Sequence, residues 1–333
     1  MGNPAAPPAV ADDAIRAARA ARLRGQISAE AAFLWGAACI GSVLLVWQFV
    51  TMPLFRVPPE PGGVEAAEAE YVPLVSPVML PGPGAVLDAV QDVFTRRRLV
   101  PNTLVTLERV VLGFGLAAAV GVPLGIAAAC FPQVRAFLYP VTIFGRNIPV
   151  AALIPLTFFL FGIGEFQKVM FLFIASVAFI ISDATAAVLE VPQRYVDTAL
   201  TLGASRWQII TKVLAPLAAP AIFNSLRLLF GLAFGYVMLA ELVKFGTDSG
   251  GLGDLINVSQ RRGEREPILI VLILIPLLAY AIDRGLWWLQ CDLFPYRYGG
   301  KGILPRFIHG IMHGFGPAAP AVRPPAVRHE ESR

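Results

Sequence analysis

Charged side chains are scarce in this sequence, and their scarcity indicates the class of protein. Only 15% of the 333 residues are charged, whereas 56% are hydrophobic, and soluble globular chains carry about one quarter charged residues. The composition therefore predicts a membrane protein that contacts a lipid bilayer. The net charge of +4 at pH 7 is typical of basic cytoplasmic loops. Since no basic patch is interleaved with aromatic residues, we predict no nucleic-acid partner.

Cysteine and histidine are also rare, and a nucleotide-binding loop is missing. Cys39, Cys130 and Cys291 lie in or beside apolar runs without the spacing of metal ligands, which predicts buried thiols and no metal site. The three histidines all lie in the C-terminal tail, so no clustered set of titratable residues indicates an enzyme. The phosphate-binding pattern G-x-x-x-x-G-K-[ST] is absent, which predicts that the chain itself binds no ATP through such a loop.

Six long apolar runs dominate what the sequence does contain. A hydrocarbon core of about 30 Å is crossed by roughly 20 helical residues. We predict an all-α membrane protein with six transmembrane helices, arranged as an N-terminal span and a five-helix core within residues 104–290. The third run is interrupted by Pro140, Pro149 and Pro155, which predicts a kinked helix. The predicted spans cover residues 32–53, 104–130, 136–161, 169–189, 217–243 and 267–289.

Basic residues decide the predicted orientation in the membrane. The positive-inside rule places a basic segment next to a span in the cytoplasm. Six spans then leave the tails 1–31 and 291–333, and the loop 190–216, in the cytoplasm. A cleaved signal peptide is the alternative, although the basic segment is long and no small-residue cleavage site follows cleanly. The arginines before the first apolar run are Arg16, Arg19, Arg22 and Arg24.

Two polar segments fall on the other side of the membrane in this topology. Residues 54–103 are rich in proline and acidic groups, and they predict an extended periplasmic segment followed by an amphipathic helix over 85–94. Three arginines at 96–98 also lie outside here, against the positive-inside rule. The second segment, 244–266, is polar and is predicted to form a solvated surface.

The loop between the fourth and fifth spans has the pattern of two short helices around a bend. Helical periodicity runs over 195–202 and again over 207–213. Gly203 permits a backbone bend between them, Ser205 is a predicted N-cap, and Pro216 ends the second helix or opens the next one. Such an element can dock into a groove on a soluble partner, and an interfacial helix in the headgroups is the alternative. Its predicted apolar face comprises Leu200, Leu202, Trp207, Ile209 and Ile210.

The letters of this loop match a known pattern. The stretch Asp197-Thr198-Ala199 is followed after three residues by Gly203, and nine residues later by Val213-Leu214-Ala215-Pro216. It resembles the EAA cytoplasmic loop of ABC-importer membrane subunits, E-A-A, three residues, G, nine residues, I-x-L-P. Four letters differ, because Asp replaces Glu, Thr replaces the first Ala, Val replaces Ile and Ala replaces Leu, whereas the Gly and the Pro are kept.

Three further stretches support the same resemblance in the expected order. The sequence LPGPGAVLDAV from residue 80 resembles an LPSPxxV entry, and residues 146–164 resemble RxIPxxAxxPLxxxWFGxG. Ala240-Glu241 followed by the glycine-rich 249–253 resembles AE…GLG. From about residue 78 to residue 296 the chain therefore resembles the permease subunits of the nitrate/sulfonate/taurine branch of ABC importers, which includes bicarbonate systems. The insertion over 54–80 and the long C-terminal tail depart from that pattern.

The resemblance implies the partners and the mechanism. It implies an inner-membrane homodimer of this subunit, two cytoplasmic ATPases that bind ATP-Mg, and a periplasmic solute-binding protein, with no cofactor in this chain. The implied function is alternating-access import of a small solute, expected to be an anion such as a sulfonate, taurine, nitrate or bicarbonate. Related systems also carry thiamine precursors and other non-anionic compounds, so the solute stays open.

The candidate site residues form three groups. The first group is the predicted ATPase-coupling loop, which comprises Asp197, Thr198, Ala199, Leu202, Gly203, Ala204, Trp207, Val213 and Pro216. The second group contains candidates for the translocation path, because charged or irregular positions inside spans are costly and are often functional; it comprises Arg146, Asn147, Pro149, Phe158, Asp183 and Glu241. The third group consists of Arg109 and Arg227, two structural charges predicted to pair with Glu108, Asp183 or Glu241.

Arg146 is the strongest path candidate, and it has a structural alternative. Its planar, permanently charged guanidinium suits a sulfonate, nitrate or carboxylate, whereas a salt bridge or a headgroup anchor would explain it without a solute. An ion-coupled secondary carrier is the other function class, and it favours inverted repeats and acidic sites at the midplane. No clear internal repeat is found, and Asp183 is the lone acidic candidate.

Overall fold

A computed structural model of the chain describes residues 28–57, 70–76, 79–243 and 250–298. The contacts divide the chain into two units, Met1–Ala89 and Val90–Arg333, which are described separately. The arginines that predict the orientation lie outside the described residues, as do most of the 54–80 insertion and the C-terminal tail beyond residue 298.

The first unit contains one apolar helix and a two-stranded ribbon. Helix α1 spans Ala29–Thr51, and the Ser28 side chain caps it by accepting a hydrogen bond from the Ala31 N–H. Strands β1 (Pro53–Val57) and β2 (Glu70–Pro73) pair antiparallel, so the segment predicted as extended forms a ribbon where it is described. Cys39 is exposed on α1. The prediction that its thiol is buried was therefore wrong within the single chain.

Helix α2 (Pro83–Thr95) crosses the boundary between the units, and the second unit continues with long helices. The amphipathic helix predicted over 85–94 is confirmed as α2. Helix α3 spans Leu99–Cys130 and begins five residues before the predicted span. Two further long helices are α6 (Glu165–Leu189) and α9 (Ala215–Leu242), and α11 (Glu266–Leu293) follows them.

Helix α6 lies at the centre of the second unit, and glycines of α3 let that helix approach α6 closely. A Cβ built on Gly125 of α3 would lie 2.6 Å from the Ala184 Cβ, and one built on Gly121 would lie 2.8 Å from the Ile180 Cγ2. Within lipid there is no hydrophobic drive between helices, so small residues that permit close backbone contact stabilise the pair by dispersion. The sequence places glycines at 113, 115, 121 and 125, a pattern that predicts close helix packing, and the structure confirms that role at Gly113, Gly121 and Gly125.

The third predicted span is two helices. Helix α4 (Pro132–Asn147) and helix α5 (Val150–Phe161) meet at an angle of 111°. Pro149 has no N–H to continue the helix, and the residue before a proline is driven to extended backbone; Ile148 has φ −67° and ψ 127°. The break that the prolines predict within the third span is confirmed as a sharp turn at Ile148-Pro149, and the assignment of both helices to one span over 136–161 stays a prediction.

The number of spans depends on this bent pair. Among the described residues, five helices are long and apolar enough to cross a membrane, or six if α4 and α5 together form one span. The count of six, and the role of α1 as an N-terminal span, stay predictions. Where it is described, the chain is helical apart from the ribbon and short connections.

The loop after α6 leads into α9 without a break. Helix α7 spans Gln193–Thr201, α8 spans Arg206–Gln208, and a π-helical segment, Ile209–Leu214, joins α8 to α9. The Ala215 N–H bonds the Ile210 carbonyl, five residues back. Pro216, which the sequence placed at either the end or the start of a helix, lies in the first turn of α9. A continuous helix of 37 residues, Arg206–Leu242, therefore contains both the second arm of the loop and the fifth span.

The polar segment after α9 contains a helix that the sequence analysis did not predict. Helix α10 spans Leu252–Arg262 and ends at Gly263, which has φ 73°. Leu252 and Leu255 are buried, so one side of α10 packs on the bundle. After α11, the short helix α12 spans Pro295–Tyr298.

Candidate coupling loop and translocation path

Gly203 closes the bend of the loop. Its φ of 77° is in the left-handed region that disfavours side chains with a Cβ. The Gly203 N–H bonds the Leu200 carbonyl at 3.0 Å, and the Ala204 N–H bonds the Ala199 carbonyl at 3.0 Å. Glycine C-caps use this arrangement to satisfy the last carbonyls of a helix. The first arm of the loop therefore ends at a fixed angle.

A capping box starts the second arm. The Ser205 Oγ accepts a hydrogen bond from the Gln208 N–H, and the Gln208 Oε1 accepts one from the Ser205 N–H at 2.8 Å. The two bonds satisfy backbone donors that would otherwise lack partners at the helix start. The N-cap predicted at Ser205 is confirmed. With Gly203 on one side and the capping box on the other, hydrogen bonds define the bend on both sides.

The apolar residues of the loop face two directions. Ala199 and Ile209 are buried against the protein, whereas Leu202 is 82% exposed and Trp207 is 70% exposed. The single apolar face predicted from the sequence was wrong in this respect, because Ile209 packs inward. Large apolar residues that stay exposed on an ordered loop are characteristic of an interaction surface.

The remaining predicted loop residues make local contacts. The Asp197 carboxylate accepts a hydrogen bond from the Gln193 side chain at 3.2 Å, and the Thr198 hydroxyl donates to the Arg194 carbonyl at 2.8 Å. Val213 is half-buried in the π-helical segment. These side chains stabilise the two arms, and Asp197 leaves its charge at the surface of the loop.

Arg146 lies at a cavity of about 550 Å³ between α4 and α6. Its NH1 donates to the Ser182 Oγ at 2.5 Å and lies 3.8 Å from the Asp183 Oδ1, and its guanidinium stands 5.3 Å from the centre of the Phe179 ring. The salt bridge with Asp183 is long, and the Arg146 side chain stays partly exposed. The guanidinium therefore keeps donor atoms directed at open space.

The other residues of this cavity are mainly neutral. Asn147 donates its amide to the Ile143 carbonyl at 2.7 Å. Arg135 is engaged with the C-terminus of α3, since it donates to the carbonyls of Ala128 and Ala129 at 3.1 and 2.8 Å. Arg146 is therefore the cation of this cavity that is not committed to backbone carbonyls.

Pro149 lies at the break between α4 and α5, whereas Phe158 lies in the last turn of α5. Pro149 is the exposed N-cap of α5. Phe158 lines an apolar cavity of about 720 Å³ together with residues of α5 and the end of α9, including Phe159 and Leu242. The predicted path candidates therefore do not share one cavity. Arg146 and Asn147 line the first cavity and Phe158 lines the apolar one. Asp183 lines a third cavity of about 500 Å³.

Glu241 is buried in an ion cluster at the end of α9 far from the loop. The Arg109 NH1 lies 2.6 Å from the Glu241 Oε1, and the Arg109 Nε and NH2 bind both oxygens of Glu165 at 2.6 and 2.7 Å. Glu241 also accepts hydrogen bonds from the Thr106 hydroxyl and the Gly253 N–H at 2.9 Å. The structure therefore places Glu241 in a closed polar cluster between α3, α9 and α10.

The two arginines predicted to be structural have different outcomes. The pair of Arg109 with Glu241 is confirmed, and its second partner, Glu165, was not predicted. Arg227 was predicted to pair with Glu108, Asp183 or Glu241, and this was wrong. Its Nε lies 2.7 Å from the Asp283 Oδ1 of α11, and its NH1 donates to the Gln290 Oε1 at 3.0 Å.

Comparison with protein families decides the class. Residues 121–289 match the family model described as the binding-protein-dependent transport system inner membrane component. The chain belongs to this family. The matched residues contain the loop, the Arg146 cavity and the long helix that ends at the ion cluster. The family consists of ABC permease membrane subunits, which are not themselves enzymes, and this permease is accordingly a multi-pass inner-membrane protein.

Curated relatives place the permease among transport-system subunits. It is 32% identical over 228 residues to the taurine transport system permease protein TauC of Escherichia coli, covering 67% of this chain and 82% of the relative. It is 32% identical over 226 residues to an ABC transporter permease protein of Methanocaldococcus jannaschii, covering 67% and 84%. The bicarbonate transport system permease protein CmpB of Synechococcus elongatus is 31% identical, with 57% and 67% covered.

Solved structures give the same fold. The MetNI methionine ABC transporter, in an inward-facing conformation, matches with a TM-score of 0.53 and 24% identity, covering 58% of this chain and 94% of that one. An amino acid ABC transporter matches with a TM-score of 0.51 and 17% identity, covering 60% and 96%. At these identities the likeness concerns the fold of the permease core.

Sequence reasoning missed two residues of the permease that the structure makes prominent. Glu165 follows the Phe161-Gly162-Ile163-Gly164 stretch directly, and a carboxylate at the start of an apolar helix was a readable signal for a partner of Arg109. Gln290 is uncharged and carried no such signal. It became visible only when the structure placed it beside Arg227.

Proposed function

We propose that this permease is driven by a cytoplasmic ATPase that docks on residues 193–214, hereafter the coupling loop, and that it imports a small anion by alternating access. The observation that carries the proposal is the exposure of Leu202 and Trp207 on a bend held by Gly203 and the Ser205 capping box. An exposed tryptophan on a rigid helical element fits the helix-in-groove mode of recognition.

The continuity of the coupling loop with α9 supports a mechanical role. A force applied at Trp207 acts on the same continuous helix that enters the bundle as α9. Buried Ile209 anchors the second arm to the protein, so the loop does not swing freely. A docked ATPase that changes conformation on ATP-Mg binding would therefore shift α9 relative to α6, which is the kind of movement that alternating access requires.

The remaining partners follow from the family. We propose that two copies of the permease form the pore, that two ATPases bind on the cytoplasmic side, and that a periplasmic solute-binding protein delivers the solute. In this orientation both termini and the coupling loop are cytoplasmic. The names of the relatives TauC and CmpB refer to taurine, which carries a sulfonate group, and to bicarbonate, and both favour a small cargo with an anionic group.

Arg146 is the residue we assign to the anion. A guanidinium with free donors binds a sulfonate or carboxylate through charge-assisted hydrogen bonds, and the neutral Ser182 and Asn147 add polar contacts at the same cavity. Asp183 lies at 3.8 Å, so it offsets part of the positive charge. Partial offset would keep anion binding weak enough for release, as transport requires.

The role of Trp207 can be tested by its removal. Truncation of a central interface tryptophan costs about 2 kcal/mol or more, so Trp207→Ala should weaken the affinity of the ATPase for the purified permease roughly 30-fold. The measurement is the dissociation constant of the cognate ATPase from the permease in nanodiscs. Trp35→Ala is the matched control, because Trp35 is 71% exposed on α1 and should leave the affinity unchanged. Equal affinities for both variants would contradict docking on the coupling loop.

The anion assignment can be tested at Arg146. Loss of a hydrogen bond to a charged group costs about 1.5–3 kcal/mol, so Arg146→Gln should reduce uptake of taurine or bicarbonate into proteoliposomes about 10-fold or more at limiting solute. ATPase affinity should not change, because Arg146 lies outside the coupling loop.

Arg284→Gln is the control for the Arg146 variant. Arg284 also stacks on an aromatic ring, that of Trp287 at 4.4 Å, but it does not line the Arg146 cavity. Its uptake should match that of the unaltered permease. If the permease imports thiamine in preference to taurine and bicarbonate, and Arg146→Gln does not change that uptake, the cargo is a cation and the anion assignment is wrong.

A further inference from the structure

The segment after the last long helix contacts the base of α9, immediately beyond the coupling loop. The Tyr296 hydroxyl of α12 donates a hydrogen bond to the Pro216 carbonyl at 2.8 Å. The Gln290 side chain of α11 donates to the Pro220 carbonyl at 3.1 Å. Residues 290–298, hereafter the clasp, therefore reach two successive turns of the helix that carries the coupling loop.

The first of these bonds fills a gap in the helix. Within an α-helix the Pro216 carbonyl would accept from the N–H of residue 220, but that residue is Pro220, which has no N–H. Backbone carbonyls are strong acceptors that pair with protein groups or with water. The Tyr296 hydroxyl supplies the missing donor from another part of the chain.

Gln290 is the most enclosed member of the clasp. Its side chain is 1% exposed, and its oxygen accepts a hydrogen bond from the Arg227 NH1 at 3.0 Å. Its nitrogen donates to the Pro220 carbonyl and, at 3.0 Å, to the Tyr298 hydroxyl. A buried amide with partners on both of its polar atoms holds α9, α11 and α12 in a fixed relation.

Aromatic contacts continue the clasp across the same surface. The rings of Phe223 on α9 and Phe294 after α11 are edge to face at 6.0 Å, and Phe294 meets the Tyr296 ring at 6.1 Å. Such pairs stabilise packing beyond the area that they bury. The clasp therefore contacts α9 through both hydrogen bonds and ring contacts.

The helix needs support from another segment over residues 209–220, because its regular series of backbone hydrogen bonds is interrupted there. A π-helical segment covers Ile209–Leu214, and Pro216 and Pro220 follow it within six residues. Proline and π-bulges are the usual positions where helices bend. Without a second contact, movement of the coupling loop would be absorbed as bending at this joint and would not reach the rest of α9.

We propose that Tyr296 and Gln290 are positioning residues for energy coupling, which stiffen the joint over residues 209–220 so that the coupling loop and α9 move as one rod. The proposal rests on the proposed function of the coupling loop. The clasp lies about 80 residues after the coupling loop in the sequence. The proposal gives it a part in transmitting the conformational change of the ATPase to the permease.

The test measures the stiffness of the rod directly. In a cysteine-free variant of the full chain, spin labels are placed at Arg206 on the coupling loop and at Leu232 on α9, both on the continuous helix Arg206–Leu242, and their distance distribution is recorded by pulsed electron paramagnetic resonance. The unaltered joint should give one narrow distribution, both without nucleotide and in the ATPase complex trapped with ATP and vanadate. Tyr296→Phe should broaden the distribution at least 2-fold in width, because the Pro216 carbonyl loses its donor.

Tyr280→Phe is the matched control, since Tyr280 is an exposed residue of α11 outside the clasp and its variant should keep the narrow distribution. A general loss of stability would not widen a distance within one helix, so the width separates positioning from simple structural support. Equal widths for Tyr296→Phe and Tyr280→Phe would overturn the proposal. If the ATPase fails to associate with the unaltered permease, the proposed function is wrong, while the nucleotide-free widths still decide whether the clasp stiffens the joint.

Discussion

Gly203→Pro is expected to abolish association of the permease with its ATPase, and with it ATP-driven uptake, while the protein still inserts in the membrane. Proline fixes φ near −65°, whereas Gly203 has φ 77°. The variant also loses the N–H that bonds the Leu200 carbonyl. Because the bend sets the angle between the two arms, the variant should displace Trp207 from the direction in which the ATPase meets it.

The control for Gly203→Pro is the same change at a geometrically equivalent glycine. Gly263 has φ 73°, its N–H bonds the carbonyl three residues back at 3.1 Å, and a Cβ at either glycine would meet no atom within 4 Å. Gly263→Pro distorts the end of α10 by the same mechanism, yet α10 lies outside the coupling loop. ATPase co-purification from detergent-solubilised membranes is the measurement. If the ATPase still co-purifies with the Gly203→Pro variant, or fails to co-purify with both variants, the bend has no special role in docking.

Glu241→Ala is expected to produce the largest loss of stability among single substitutions in the ion cluster. It leaves the buried guanidinium of Arg109 without one of its carboxylates and leaves the Thr106 hydroxyl and the Gly253 N–H without their acceptor. Removing one partner of a buried ion pair costs about 3–5 kcal/mol, which corresponds to a fall in Tm of roughly 6–20 °C for a domain of this size. Thermal unfolding of the purified permease, followed by tryptophan fluorescence, measures this shift.

Glu264→Ala supplies the comparison for the buried carboxylate. Glu264 forms an ion pair with Arg97 in which the carboxylate is partly exposed. Arg97 also pairs with Asp92, so the loss of Glu264 leaves its guanidinium with a partner and should cost little more than the loss of an exposed pair, about 0–1 kcal/mol. Its Tm should therefore fall by no more than a few degrees. The double variant Arg109→Met with Glu241→Leu should recover part of the loss, since replacing both partners by apolar groups leaves no unpaired buried charge. Similar Tm values for Glu241→Ala and Glu264→Ala would mean that the cluster is hydrated.

Several features of the fold could be predicted because their causes are local in the sequence. The bend at Gly203 and the cap at Ser205 depend on residues within a few positions of one another, and the structure has both. The glycines of α3 predicted close packing against another helix, whereas the identity of that helix as α6 came from the structure. Apolar runs long enough to cross a bilayer predicted the long helices, with boundaries that moved by a few residues.

Other features depend on contacts between distant parts of the chain, and the sequence did not reveal them. The prolines of the third span predicted a kink, but the packing that decides between a kink and the 111° turn at Ile148-Pro149 is tertiary. Helix α10 was not predicted because its apolar side is short and the segment is polar overall. The partners of Arg227 lie 56 and 63 positions away, and Asp283 and Gln290 gave no sign of that pairing.

The length of the helix from Arg206 to Leu242 has a geometric consequence. Its 37 residues extend about 55 Å at the usual rise per residue, and they carry Trp207 near one end and Glu241 near the other. A tilt of about 5° around one end of such a lever displaces the opposite end by about 5 Å. Small rotations on one face of the bilayer are thereby enlarged into displacements wide enough to make or break carboxylate contacts on the other.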